Sequence, residues 1–299
     1  MRPKTDPIDV IRGALPLTFI TLNLIFWIIP LILLGLAKLL VPVPTIRRWI
    51  YQLMIGIYAV ASQADLLLFK YILGIQFDFD IPQELERDKN HLIISNHQSW
   101  ADILVFQSIL ISRTPIIKFI VKKELLFMPL IGLICWAYEY PMVQRRSFKK
   151  DSDAQNNPKN DLEILESKLA GLSDHPASII NFAEGTRFNL EKREKHKSPH
   201  NNLLRARTGG LFFILDTFGN TIDYILDFTI IYKCKDPVFF KFLGRKCSEV
   251  IVRANKIPLH ELLTELSDET GQLQFEKVDA WLKKLWLKKD RQLDMLIPD

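Results

Sequence analysis

The chain has 299 residues, enough for one large domain or two small ones with a sizeable core. Its 39 basic and 34 acidic residues leave a net charge of +5, which permits contact with anionic lipid or phosphate and does not by itself point to nucleic acid. Three cysteines, Cys135, Cys234 and Cys247, are an odd number without CxxC spacing; they exclude a visible disulfide framework or metal knuckle and fit reduced packing thiols facing the cytosol.

Gly13 to Ala37 is a run of 25 residues without a charge. As a helix it would reach roughly 37 Å, against a hydrocarbon core of about 30 Å. Pro16 is harmless near its start, whereas Pro30 is expected to kink or break it. A second apolar stretch, Ile50 to Ile75, carries only Asp65 and Lys70. The first run is too long for a cleaved signal and lacks a small-residue cleavage site. A buried core helix fits the same pattern, but the length favours a membrane anchor, either crossing the bilayer or entering one leaflet and returning. Arg47 and Arg48 nearly balance Arg2, Lys4 and Arg12, so flanking charge assigns no orientation. The expected division is a membrane-associated helical segment over 1–75 and a second domain over 76–299.

From Gln76 onward short apolar runs alternate with helical patterns. "QFDFDI" alternates at period two, as a half-buried strand does. "HLIIS", "ASIINF", "YILDFTIIY" and "SEVIVRA" read as further strands, and "ADILVFQSIL" as a helix. "DSDAQNNPKN" is a polar loop, followed by a helical leucine stripe at Leu162, Leu165, Leu169 and Leu172. Strands alternating with helices predict an α/β fold, a mostly parallel sheet flanked by helices behind the N-terminal anchor. Near the C-terminus Val278, Trp281, Leu282 and Leu285 share one helical face, to be docked on the core or laid on a membrane surface.

Two stretches carry chemistry. In "ISNHQSWADI", Ser99-x-x-Asp102 resembles a capping box for the following helix. If His97 instead lies in the turn before that helix, its imidazole folds back onto Asp102. The carboxylate would then accept Nδ1–H and leave Nε2 free to take a proton. No serine nucleophile accompanies the pair, so its natural use is to deprotonate a bound hydroxyl. In "INFAEGTRF", Glu184, Gly185, Thr186 and Arg187 stand at a turn after a strand. Arg187 suits a phosphate, Gly185 permits close backbone approach, and Glu184 suits a hydroxyl or a brace for Arg187. Arg145 and Arg146 follow the apolar "YPMV" and are a further phosphate candidate.

At these residues the sequence resembles the PlsC-type glycerolipid acyltransferases, the family of 1-acyl-sn-glycerol-3-phosphate acyltransferases. Asn96, His97 and Asp102 match its N-H-x-x-x-x-D motif, Glu184 to Arg187 its E-G-T-R motif, and Arg145 more loosely its intervening arginine. "ILDFTIIYK" stands where a fourth block with a Val-Pro pair is usual, lacks the proline, and receives no ligand contact. "NHQSWADI", "CWA", "NFAEGTRF" and "WLKKLWLKKDR" are most similar to a bacterial inner-membrane branch of the family. The resemblance implies transfer of a fatty acyl group from a thioester, acyl-CoA or acyl carrier protein, to the sn-2 hydroxyl of a lysophospholipid, chiefly lysophosphatidic acid. It implies His97 as base, Asp102 as its orienting partner, and Arg145, Glu184, Gly185, Thr186 and Arg187 as substrate-binding residues. It calls for no cofactor or metal, for membrane lipid and acyl carrier protein as partners, and for an inner-membrane protein with its catalytic domain facing the cytoplasm. A hydrolase lacks its G-x-S-x-G elbow here and a dinucleotide enzyme its G-x-G-x-x-G. A silent lipid-binding protein is the rival from another class.

Overall fold

The computed structural model describes residues 7–122, 127–143, 175–234 and 239–296. Two long helices open the chain, α1 (Pro7–Leu40) and α2 (Pro44–Leu67), the second ending in a π-helical turn over Leu68–Ile72. Both are long and apolar enough to cross a membrane. Along α1, Leu15, Leu22, Ile29, Leu33 and Leu40 recur on one exposed face, while Ile28 and Leu31 are buried. Pro30 does not break α1, which runs continuously through both internal prolines. A long apolar helix packed along its neighbour tolerates the missing backbone bond.

Among the described residues eight strands follow: β1 (Gln76–Asp80), β2 (His91–Ser95), β3 (Ile116–Phe119), β4 (Val121–Lys122), β5 (Met142–Val143), β6 (Ala177–Phe182), β7 (Tyr224–Tyr232) and β8 (Glu249–Pro258). Six form one sheet in the order β1-β8-β7-β2-β6-β3, and β4 pairs with β5 separately. From β7 to β3 all neighbours are parallel; β8 runs antiparallel to β7 and parallel to β1. The sheet is therefore mostly parallel, with one reversed pair at its edge.

Helices α3 (Ala101–Leu110), α4 (Pro129–Ala137), α5 (Leu190–Lys195), α6 (Thr208–Phe218), α7 (Phe239–Leu243), α8 (Leu259–Leu266) and α9 (Phe275–Leu296) complete the fold. They cover the sheet in two layers. Leu92 and Ile94 of β2 join a core with Leu211 and Ile214 of α6 and Leu282 and Trp286 of α9. Ile93 points the other way, into a core with Val105 and Phe106 of α3 and Phe242 of α7. Burial on both faces explains why β2 reads as a continuous apolar run. Helix α9 docks on the core through Val278, Leu282, Trp286 and Leu293, all buried.

The cysteine reading is corrected. Cys234 and Cys247 form a disulfide, and Cys135 is free and buried. The two bonded residues flank β7 and β8, whose antiparallel pairing brings their ends together. The argument for a cytosolic face from reduced thiols therefore loses its support. The polar loop over 151–160 and the stripe from Leu162 to Leu172 lie outside the described residues.

Candidate active site

The two motifs lie just beyond the carboxyl ends of adjacent parallel strands, β2 and β6. Open α/β sheets place their sites at that edge. Asn96, fully buried, fixes the end of β2. Its Nδ2 donates to the Ile230 carbonyl and its Oδ1 accepts the Ile230 N–H, each at 2.9 Å. The side chain thus continues the pairing with β7 where the backbone turns away.

That turn brings His97 back onto the start of α3. His97 Nδ1 lies 2.8 Å from Asp102 Oδ2. The same oxygen accepts the backbone N–H groups of Gln98 at 2.8 Å and Ser99 at 3.1 Å. Ser99 Oγ in turn accepts the Ala101 N–H at 3.2 Å. The capping arrangement and the His–Asp pair are thus one structure: the carboxylate that ties off the helix N-terminus also orients the imidazole. Asp102 Oδ1 accepts the Tyr232 hydroxyl at 2.7 Å. Both carboxylate oxygens are occupied and Asp102 is fully buried, so its charge is held in one geometry.

Because a carboxylate only accepts from His97, Nδ1 carries the proton and Nε2 is left with its lone pair. The ring stacks on Phe182, centroids 4.0 Å apart and 17° from parallel. The His97 side chain is 14% exposed, so Nε2 is reachable from outside.

Glu184 is placed differently from a ligand-facing acid. It is 1% exposed. Its Oε1 accepts the His97 backbone N–H at 3.0 Å and its Oε2 the Leu204 N–H at 2.9 Å. Burial pushes its carboxyl up to about 8, while the two backbone donors pull the other way. Phe188 N–H donates to the His97 carbonyl at 2.7 Å, so the E-G-T-R turn is stitched to the histidine by bonds in both directions. Gly185 occupies φ +68°, a conformation that costs other residues about 1–2 kcal/mol. Thr186 Oγ1 accepts from Lys192 Nζ at 2.7 Å. Arg187 lies with Cζ 4.6 Å above the Trp100 ring.

The structure thus gathers His97, Asp102, Glu184, Gly185, Thr186 and Arg187 into one place. Arg145 and Arg146 lie outside the described residues. Among the described residues no cluster of metal-ligating side chains occurs. Tyr232, Phe182 and the cross-strand work of Asn96 are not apparent from the sequence. The one signal was that Tyr232 closes "YILDFTIIY", the strand beside β2.

Known proteins similar to this chain are acyltransferases by name. A "Probable 1-acyl-sn-glycerol-3-phosphate acyltransferase 5" of Arabidopsis thaliana is 27% identical over 214 residues, covering 68% of this chain and 52% of that protein. A mouse (Mus musculus) "1-acyl-sn-glycerol-3-phosphate acyltransferase gamma" is 28% identical over 189 residues, covering 60% of this chain and 45% of that one. The chain spans about half the length of the curated relatives it matches. In fold it resembles the crystal structure of the 1-acyl-sn-glycerophosphate (LPA) acyltransferase, PlsC, from Thermotoga maritima. The TM-score is 0.54 at 17% identity, over 96% of this chain and 100% of that one. The family model described as Acyltransferase matches residues 76–232, more than half of the chain, and the chain belongs to the Acyltransferase family.

Proposed function

We propose that this protein transfers a fatty acyl group from a thioester to the sn-2 hydroxyl of a 1-acyl-glycerol 3-phosphate, giving phosphatidic acid. The observation that carries it is the 2.8 Å contact between His97 Nδ1 and Asp102 Oδ2, with Nε2 open beside a turn that ends in Arg187. Relatives bearing that activity in their names support the choice of acceptor.

In the reaction Nε2 takes the proton of the acceptor hydroxyl as its oxygen attacks the thioester carbonyl. Asp102 stabilises the imidazolium that forms. When the tetrahedral intermediate collapses, the C–S bond breaks and the imidazolium returns its proton to the departing thiolate. No metal or cofactor takes part. Arg187 holds the acceptor phosphate, assisted by Arg145. Glu184 acts through the backbone, fixing the positions of His97 and Leu204. Gly185 and Thr186 shape the turn under the phosphate. The donor is acyl-CoA or acyl carrier protein, the latter as a transient partner.

Motifs similar to the YihG branch of bacterial inner-membrane acyltransferases support the reading of a protein at that membrane with its site on the cytoplasmic side. Both the acceptor and the product are bilayer amphiphiles, and two exposed apolar helices keep the site at their source.

The test is transfer from labelled acyl-CoA and acyl carrier protein to a panel of lysolipids, with products resolved by mass. His97→Ala should reduce kcat by about 10²–10⁴-fold with an unchanged melting temperature. Full transfer by that variant removes His97 as the base.

A further inference from the structure

Two cations outside the matched motifs close on the E-G-T-R turn. Lys192, on the first turns of α5, is placed by Asn189, whose Oδ1 accepts the Lys192 N–H at 2.7 Å. Its Nζ donates to Thr186 Oγ1 at 2.7 Å and to the Arg187 carbonyl at 2.8 Å. An ammonium has three donors, so one remains. Arg207 arrives from the far end of the same segment, its N–H bonded to the Ala183 carbonyl at 2.7 Å. Its side chain passes over Gly185: a Cβ added there would lie 3.2 Å from Arg207 Cδ and 3.5 Å from Nε and Nη1. A side chain at 185 would make Arg207 give by a few tenths of an ångström, on top of the strain of the positive φ.

Neither these two residues nor Arg187 makes an ion pair with a carboxylate among the described residues. Glu184, the nearest acid in sequence to Arg187, has both oxygens on backbone N–H groups. Burial and then the charge of Arg187 lower the Lys192 ammonium, while Glu184 and Glu191 oppose the shift, so Lys192 and Arg187 lie close enough to repel one another. A bound anion relieves that repulsion. A phosphate monoester carries about −1.5 to −2 at pH 7, whereas a diester carries one charge, so the monoester gains more from three cations than from one.

We propose that Lys192 and Arg207 are phosphate-binding residues that join Arg187 in a three-cation cradle over the Gly185–Arg187 turn, selecting acceptors that end in a phosphate monoester. This rests on the acyl-transfer reading for its choice of acceptor, not for the binding itself. The lone Arg187 would hold monoester and diester headgroups alike; the added pair discriminates between them.

The test uses the full chain in detergent, with two readouts. Calorimetry with sn-glycerol 3-phosphate should show binding by the unaltered protein and about tenfold weaker binding by Lys192→Gln and by Arg207→Gln. Lys192→Arg and Arg207→Lys should recover most of the affinity, which a merely misfolded variant would not. In turnover assays each Gln variant should raise the KM for lysophosphatidic acid about tenfold, and that for the diester lysophosphatidylglycerol less than about threefold. The kcat and the KM of the acyl thioester should hardly change. Unchanged affinity in the variants, no binding by the unaltered protein, or a rise in the thioester KM instead would overturn the cradle. Equal losses for monoester and diester would overturn its selectivity. Binding without transfer would overturn the proposed reaction and leave the cradle standing, so the two failures are distinct.

Discussion

Asp102 separates the geometric from the electrostatic share of the His–Asp pair. Its Oδ2 faces three donors, His97 Nδ1–H and the backbone N–H groups of Gln98 and Ser99, while Oδ1 faces only the Tyr232 hydroxyl. In Asp102→Asn the backbone donors force the amide oxygen into the Oδ2 position, and the amide nitrogen turns to Tyr232, whose oxygen can accept. The imidazole keeps its tautomer and its orientation; the negative charge is lost. Asp102→Asn should therefore lower kcat by roughly 10–10²-fold, less than Asp102→Ala, which leaves the ring unheld. Equal losses in the two variants would show that the amide does not keep the ring in place. Glu184 makes a second prediction, with a sign. Its folded-state carboxyl is raised by burial to about 8 from an ordinary 4.5. The folded protein thus holds a proton that the unfolded chain releases. Glu184 contributes most stability below about pH 4.5 and loses that contribution as pH rises through about 8. Glu184→Gln should flatten the fall in melting temperature over that window, and an unchanged slope would assign the fall to other groups.

Helix α9 is linked to the site through the segment from Asn201 to Leu204. Trp286 Nε1 donates to the Leu204 carbonyl at 3.0 Å, and Asp290 accepts the N–H groups of Asn201 and Asn202, each at 2.9 Å. Leu204 then donates to Glu184, which holds His97. Trp286→Phe keeps the ring in the core and orphans a buried carbonyl, at a cost of about 1–3 kcal/mol. It should lower the melting temperature and also kcat, with the acceptor KM unchanged. A lower melting temperature with kcat intact would show that the 201–204 segment holds Glu184 unaided. Little of this linkage is legible in the sequence, for a physical reason. His97 and Asp102 sit five residues apart at a strand end, and local spacing suffices to pair them. Tyr232 is 130 residues from Asp102 and Trp286 is 82 from Leu204, contacts that exist only once the sheet and its covering helices form. Glu184 misleads in another way: beside Arg187 it reads as a ligand group, and only its burial shows that it serves the backbone. The disulfide is hidden likewise, since it depends on the antiparallel return of β8 in a sheet whose other motifs imply parallel strands. The long strands and α3 were legible because burial on one or two faces imposes a period, whereas the two-residue strands β4 and β5 are too short to show one.

The arrangement of the whole molecule bears on how it meets the bilayer. Length and hydropathy allow both α1 and α2 to cross. Yet α2 buries Tyr51, Met54, Tyr58, Ser62 and Asp65, nearly its full length on one face. Part of that face meets the α/β body directly: the Ser62 carbonyl accepts Ser108 Oγ of α3 at 3.2 Å, and the Met54 carbonyl accepts the Tyr138 hydroxyl at 2.8 Å. A helix held against the body over four turns cannot thread the bilayer while the body, with its polar site, remains in water. Helix α1 lies outside it and presents Leu15, Leu22, Ile29, Leu33 and Leu40 outward. On this packing the pair is expected to enter one leaflet and return rather than to cross. The turn between the helices, Val41 to Val43, then sits on the same side as the catalytic body or within the near leaflet, never across the membrane. Val43→Cys and Met295→Cys report on this, because both positions are exposed and the native cysteines are buried or bonded. In sealed vesicles an impermeant maleimide should reach Met295→Cys from one side only, and should reach Val43→Cys from that side or not at all. Labelling of the two cysteines from opposite sides would mean that the helices cross, and that the contact between α2 and the body does not survive in the membrane.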